Sequence, residues 1–263
     1  MSHIQASSGD LRTVRGAKSG GARASGAARL FFPAVALLLL AMTAWGFGPF
    51  YTKGMAYPGR EIAPPIKTVV IIHAVVMSAW MILLFVQPTL ISLRRHRLHM
   101  TLGKVGAVIA LLVCATGLVV AIRSAQVTPG EARIWGLPPK EFFIVPFTAV
   151  FIFGAFVALA IAYRKKPAIH RAMMMVGTLS IMSAPISRID VLNNLYVGTA
   201  MERLFGPFFI TDVLAVLLVA LYATIHRFDR LFAAGVAIII ALSWGIWQAA
   251  PTEAWLRIAS VFV

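Results

Sequence analysis

Leu93-Arg94-Arg95-His96-Arg97-Leu98-His99-Met100-Thr101-Leu102-Gly103-Lys104 is the stretch whose reading decides the fold. It is a strongly basic turn with two histidines, set between apolar sequence that begins near Ile71 and continues to Gly117. An α-helix rises 1.5 Å per residue and needs roughly 20 apolar residues to cross ~30 Å of hydrocarbon. The turn therefore reads as a short loop joining two membrane helices. Arg164-Lys165-Lys166-Pro167-Ala168-Ile169-His170-Arg171 repeats the pattern further along.

Composition agrees with this reading. The chain is 60% hydrophobic and only 13% charged, with a mean hydropathy of +0.85. A soluble domain has an apolar fraction nearer half and a charged fraction nearer a quarter. The net charge of +15 does not point to nucleic acid, because the basic residues sit between apolar spans, where they set orientation. Cys114 is the single cysteine, which excludes a disulfide framework and a thiolate metal site.

The periodic apolar segments predict an all-α bundle of about seven transmembrane helices, near residues 30–48, 67–92, 103–122, 143–163, 172–188, 209–225 and 231–248. Residues 1–29 read as a disordered basic tail, 30–250 as the helical bundle and 251–263 as a short outer interfacial segment. A cleaved signal is disfavoured because Trp45-Gly46-Phe47-Gly48-Pro49 offers no small-residue cleavage site. Fifteen of the 24 Lys and Arg fall on the side of the tail and the two basic turns, and seven of the nine acids on the other. The N-terminus is therefore expected inside and the C-terminus outside.

Two sets of polar residues stand out at different depths. The outer set is His73, Arg188 and Asp190, joined by Asp212, with Asp190 or Asp212 the expected partner of Arg188. The inner set is His99, His170 and Gln87, with His96 and His226 at the basic boundary. His73, Trp80 and Gln87 follow at heptad spacing and share one face. His170 and Arg188, 18 residues apart on an unbroken helix, would share another face about 27 Å apart. His99, Gly103, Gly106, Ala110 and Gly117 form a small-residue stripe, and a matching stripe starts at His170, so helices three and five are expected to pack at their inner ends. Two imidazoles facing each other there are a candidate axial pair for the iron of a b-type haem. No other metal site is expected.

The pattern His73, Trp80, Gln87, then His99, Leu102, Gly103, then His170, Arg171, Met173, Met174, and finally Ala184 with Arg188 resembles a family of bacterial multi-pass membrane proteins of unassigned activity. Met100 stands where that family usually has Arg. The resemblance implies the bacterial inner (cytoplasmic) membrane. A looser resemblance, to cytochrome b561-like bundles, implies haem b and electron transfer with a quinone. It is partial, since His73 has no second histidine at its depth. Three functions stay open: a single-haem redox protein using His99 and His170; an anion- or proton-linked transporter or binding protein with a small-molecule ligand between His73 and Arg188; and a non-catalytic bundle interacting with an anionic inner leaflet. Whether the chain is an enzyme, and its oligomeric state, are left open by these residues.

Overall fold

A computed structural model describes residues 18–57, 60–62 and 64–263. Seven helices form its body: α1 Lys18–Gly46, α2 Pro64–Ser92, α3 His96–Val127, α4 Ile144–Ala162, α5 Pro167–Leu179, α6 Phe209–Ile225 and α7 Arg230–Ala249. Shorter helices occupy the connections, and residues 55–57 and 60–61 pair as a small antiparallel hairpin. Prolines open α2 and α5, where the missing N–H is one that the first turn leaves unbonded in any case. Asp229 caps α7, accepting from the N–H groups of Leu231 and Phe232 at 3.0 and 3.1 Å.

Among the described residues, six helices are long and apolar enough to cross a membrane: Arg29–Gly46, Pro64–Ser92, His96–Val127, Pro139–Ala162, Ala200–Ile225 and Arg230–Ala249. Their outer faces carry large apolar side chains in the open, such as Leu111 at 70% exposure. In water such a surface would be unstable; against lipid it is the expected one. The chain is a multi-pass helical membrane bundle.

The expected fifth span, 172–188, is not one helix. α5 stops at Leu179, and the chain continues through a turn into a short helix, Ser183–Ile186, and another, Asp190–Asn193. Pro185 is the cause. It has no N–H to offer Ile181 and its ring crowds the carbonyl four residues back, so the helix cannot pass through this point unbroken. The ladder tightens instead to i−3 bonds, Ile181 N–H to Thr178 O at 3.2 Å and Met182 N–H to Leu179 O at 3.0 Å. The expected common face of His170 and Arg188 is lost with the helix.

The packing order explains why this break is tolerated. In space α1, α2, α3, α4, α7 and α6 follow one another, with α6 returning to α1. The interrupted segment stands among them: α5 packs on α4 and α7, and Ser183–Ile186 packs on α1 and α6. Its residues Val176, Thr178, Leu179 and Ile186 are fully buried. Irregular backbone survives at membrane depth only where protein surrounds it. Gly46 permits the closest approach, since a Cβ there would meet the Pro185 carbonyl oxygen at 2.1 Å.

Other expectations also shift. α1 begins at Lys18, so residues 18–29 of the expected tail are helical, while 1–17 lie outside the described residues. α3 is longer than expected at both ends and includes His99 in its first turn. The two small-residue stripes do not meet each other. Gly106 faces Leu83 of α2, Gly117 faces Val150 of α4 and His73 of α2, and Gly177 faces Phe156 and Val157 of α4. Small residues admitted close neighbours, as expected, but α2 and α4 are those neighbours. The final helix, Glu253–Ala259, turns Trp255 against Phe143 and Phe147, with ring centroids 5.6 and 5.8 Å away, and so covers the first turn of α4.

Candidate functional site

The polar side chains of the spans gather at two depths. Between α2, α3, α4 and the break lies a cavity of about 600 Å³, with residues from 50–62 and 128–139 at its mouth. Its walls are mostly apolar, including Phe47, Val70, Met77, Met81, Val150 and Phe153, and His73, Arg188, Glu61 and Tyr51 bring the charged or titratable groups. His73 and Arg188 thus line one space although the helix expected to carry Arg188 is broken.

His73 sits on the open face of Gly117, where a Cβ would stand 3.3 Å from its Cε1. Its Nδ1 is 2.9 Å from Thr116 Oγ1. The Thr116 hydroxyl donates to Leu112 O at 2.7 Å, so its oxygen accepts from His73 Nδ1–H. In the neutral ring Nε2 is then the acceptor. Arg188 donates through Nη1 to Ala184 O and lies over the Phe47 ring, 4.7 Å from its centroid. The carboxylates expected to pair with it do not: among the described residues the ion pairs are Arg171 with Asp229 and Arg257 with Glu253. Asp212 is buried on α6 and accepts from Ser243 at 3.4 Å, and Asp190 is exposed. Neither lines the cavity. Trp135 stacks on Tyr196, centroids 5.9 Å apart, and burial with the nearby Glu202 pushes the Tyr196 phenol above its ordinary range.

Beside the two basic turns the rings of His99 and His170 do converge, 6.3 Å between centroids and nearly perpendicular. Each is held by a different group. His170 Nδ1 donates to Ala160 O at 2.9 Å, a carbonyl near the end of α4 left over because Arg164 N–H bonds Ile161 O instead. Gln87 stands against His99 Nδ1 and Gly103 N–H; with its amide turned so that the oxygen accepts from Gly103 N–H at 2.9 Å, its nitrogen lies 2.5 Å from His99 Nδ1. In that orientation the proton of a neutral His99 sits on Nε2, whereas that of His170 sits on Nδ1. A bis-histidine iron needs a free lone pair from both rings: His170 Nε2 offers one, and His99 Nε2 offers one when the Gln87 amide turns its oxygen to accept from Nδ1–H. No group of three or more His, Cys, Asp or Glu side chains suited to a metal ion occurs among the described residues.

Sequence reasoning missed Thr116, Phe47 and Ser243, the contacts that fix His73, Arg188 and Asp212. Thr116 and Ser243 were detectable as hydroxyls inside apolar runs; Phe47 carries no such signal.

The chain matches no protein-family model, no curated protein and no solved structure. The two resemblances in the sequence therefore have no support from a match.

Proposed function

We propose that this protein binds, in its outer cavity, an amphiphilic small molecule with an anionic or carbonyl head, as a membrane-embedded binding protein or carrier. The observation that supports it is the 600 Å³ apolar cavity with His73 and Arg188 on its wall. Ligand sites are concave, mostly apolar, about 300–1,000 Å³ in size, and carry a few polar groups that fix orientation. Arg188 supplies a permanent positive charge for the head, and His73 Nε2 accepts a hydrogen bond from it. Residues such as Met77, Met81 and Phe153 take the tail.

The same reading includes seven crossings with the N-terminus inside. His170 lies beside His99 at the basic end of the bundle and Arg188 lies in the cavity with His73, so the interrupted segment runs between the two depths. The distribution of Lys and Arg supports the orientation.

Decanoate binding to detergent-purified protein tests the proposal, with decane as the headless control. Losing a charge-assisted bond of ~1.5–3 kcal/mol in Arg188→Gln should weaken decanoate binding by about 10- to 150-fold and leave decane unaffected. Equal losses for both probes, or none for either, would make the cavity structural.

A further inference from the structure

Asp212 lies outside the large cavity, and the ligand site proposed above does not use it. It is 6% exposed in the first turn of α6, and its Oδ2 is buried without a hydrogen-bond partner among the described residues. Its Oδ1 accepts from Ser243 at 3.4 Å, long for a hydroxyl bond. An ionised carboxylate in such surroundings requires a cation or several donors. Among the described residues no Lys, Arg or His forms an ion pair with it. Residues 30–46 of α1, Ser183–Ile186 and Gly206–Phe208 carry no charged side chain, and Arg230 is at the opposite end of α7 from Ser243. Glu202 and Arg203 belong to the short helix Ala200–Phe205, which also packs on α6, and Arg203 forms no ion pair with Asp212.

Beside Ser243 is a second cavity of about 10 Å³, lined also by Thr148 and Ser180. That is about the space one water centre requires, ~10–15 Å³, and three hydroxyls give it the two to four polar partners an internal water takes. Thr148 and Ser180 donate to Ile144 O at 2.6 Å and Gly177 O at 2.8 Å, which leaves their oxygens as acceptors. Val145 and Ala149 line both this cavity and the large one.

We infer that Asp212 is a protonated carboxyl in the resting protein, and that Ser243 and the small cavity form its route of proton exchange with the large cavity. In that exchange the Asp212 O–H bond breaks and its proton passes to Ser243 Oγ, while the Ser243 O–H proton passes to a water molecule in the small cavity as hydronium. The carboxylate left behind keeps the Ser243 bond, and the reverse step restores the acid.

Infrared spectroscopy of the full chain in lipid at neutral pH tests both halves without any ligand. The C=O stretch of a protonated carboxyl should be present, move on transfer to D2O and vanish in Asp212→Asn, while Asp190→Asn retains it. Asn closely matches a neutral carboxyl in shape; if the variant still misfolds, Ser243→Ala should shift the frequency of the same band. Thr148→Val together with Ser180→Ala should slow its exchange in D2O at least tenfold. Absence of the band from the folded wild type, or its survival in folded Asp212→Asn, overturns the protonated state. Unchanged exchange in the Thr148/Ser180 double variant overturns the route. A band that persists in protein unable to bind decanoate would sink the ligand proposal and leave this one standing.

Discussion

Gly46→Ala probes the contact on which the bundle's interior depends. The added Cβ would lie 2.1 Å from the Pro185 oxygen, 2.7 Å from its carbonyl carbon and 3.0 Å from its Cα. Relief requires moving α1 and the interrupted segment apart by about 1 Å, because both sides are backbone and neither has a rotamer to change. Overpacking costs ~1–3 kcal/mol, and a backbone clash belongs at the upper end. At roughly 2–4 °C per kcal/mol for a chain of this size, Tm should fall by about 6–12 °C. Gly245→Ala is the control: nothing stands within 4 Å of its Cβ, and replacing a helical glycine there should be neutral or stabilising by up to ~1 kcal/mol. Thermal unfolding of the two variants in one detergent is the assay. Because Phe47 and Pro185 line the cavity, Gly46→Ala should also weaken decanoate binding. A Gly46→Ala protein with the Tm of Gly245→Ala would refute the wedging of the interrupted segment against α1.

Arg171 stands 3.6 Å from Asp229 and over the rings of Phe32 and Tyr222, at 4.9 and 5.6 Å from their centroids. It is partly exposed, so Arg171→Ala should cost only about 1–2 kcal/mol, with Arg171→Lys intermediate in the same thermal assay. A reducible Soret band in the visible spectrum of the purified protein would show that His99 and His170 hold a haem with the Gln87 oxygen turned to His99 Nδ1–H, and its absence would remove the haem reading. A reporter fused after Val263 should read periplasmic and one placed near Ala168 cytoplasmic, and the reverse pair of signals would sink the seven-crossing orientation.

The sequence announced the membrane and six of the seven expected spans because a crossing needs long apolar runs, whereas the fifth is broken before Pro185. The depth of His73, Gln87, His99 and His170 was legible for the same reason: a fixed rise per residue converts position into height. Which helix meets which was not. The stripe Gly103, Gly106, Gly117 specifies a close neighbour without saying whether it is α2 or α5, since small residues admit any backbone. The break at Ser180–Met182 was available in Pro185, whose effect on the preceding turn outweighs the apolar run around it. The partner of Asp212 was illegible, because Ser243 lies 31 positions away and in a different helix. A lone serine among apolar residues does not disclose what it faces.

The interrupted segment has a further consequence for how the chain is made. Synthesis delivers α1 to α4 first, then the segment with its proline break, and only afterwards α6 and α7, which complete the enclosure on its remaining side. Between those moments the broken turn faces lipid on one flank, with backbone groups no hydrocarbon can satisfy. The last two helices act as a closing clasp, and a ribosome that stalls before residue 209 leaves an assembly with an unsealed seam, open to capture by membrane chaperones and proteases.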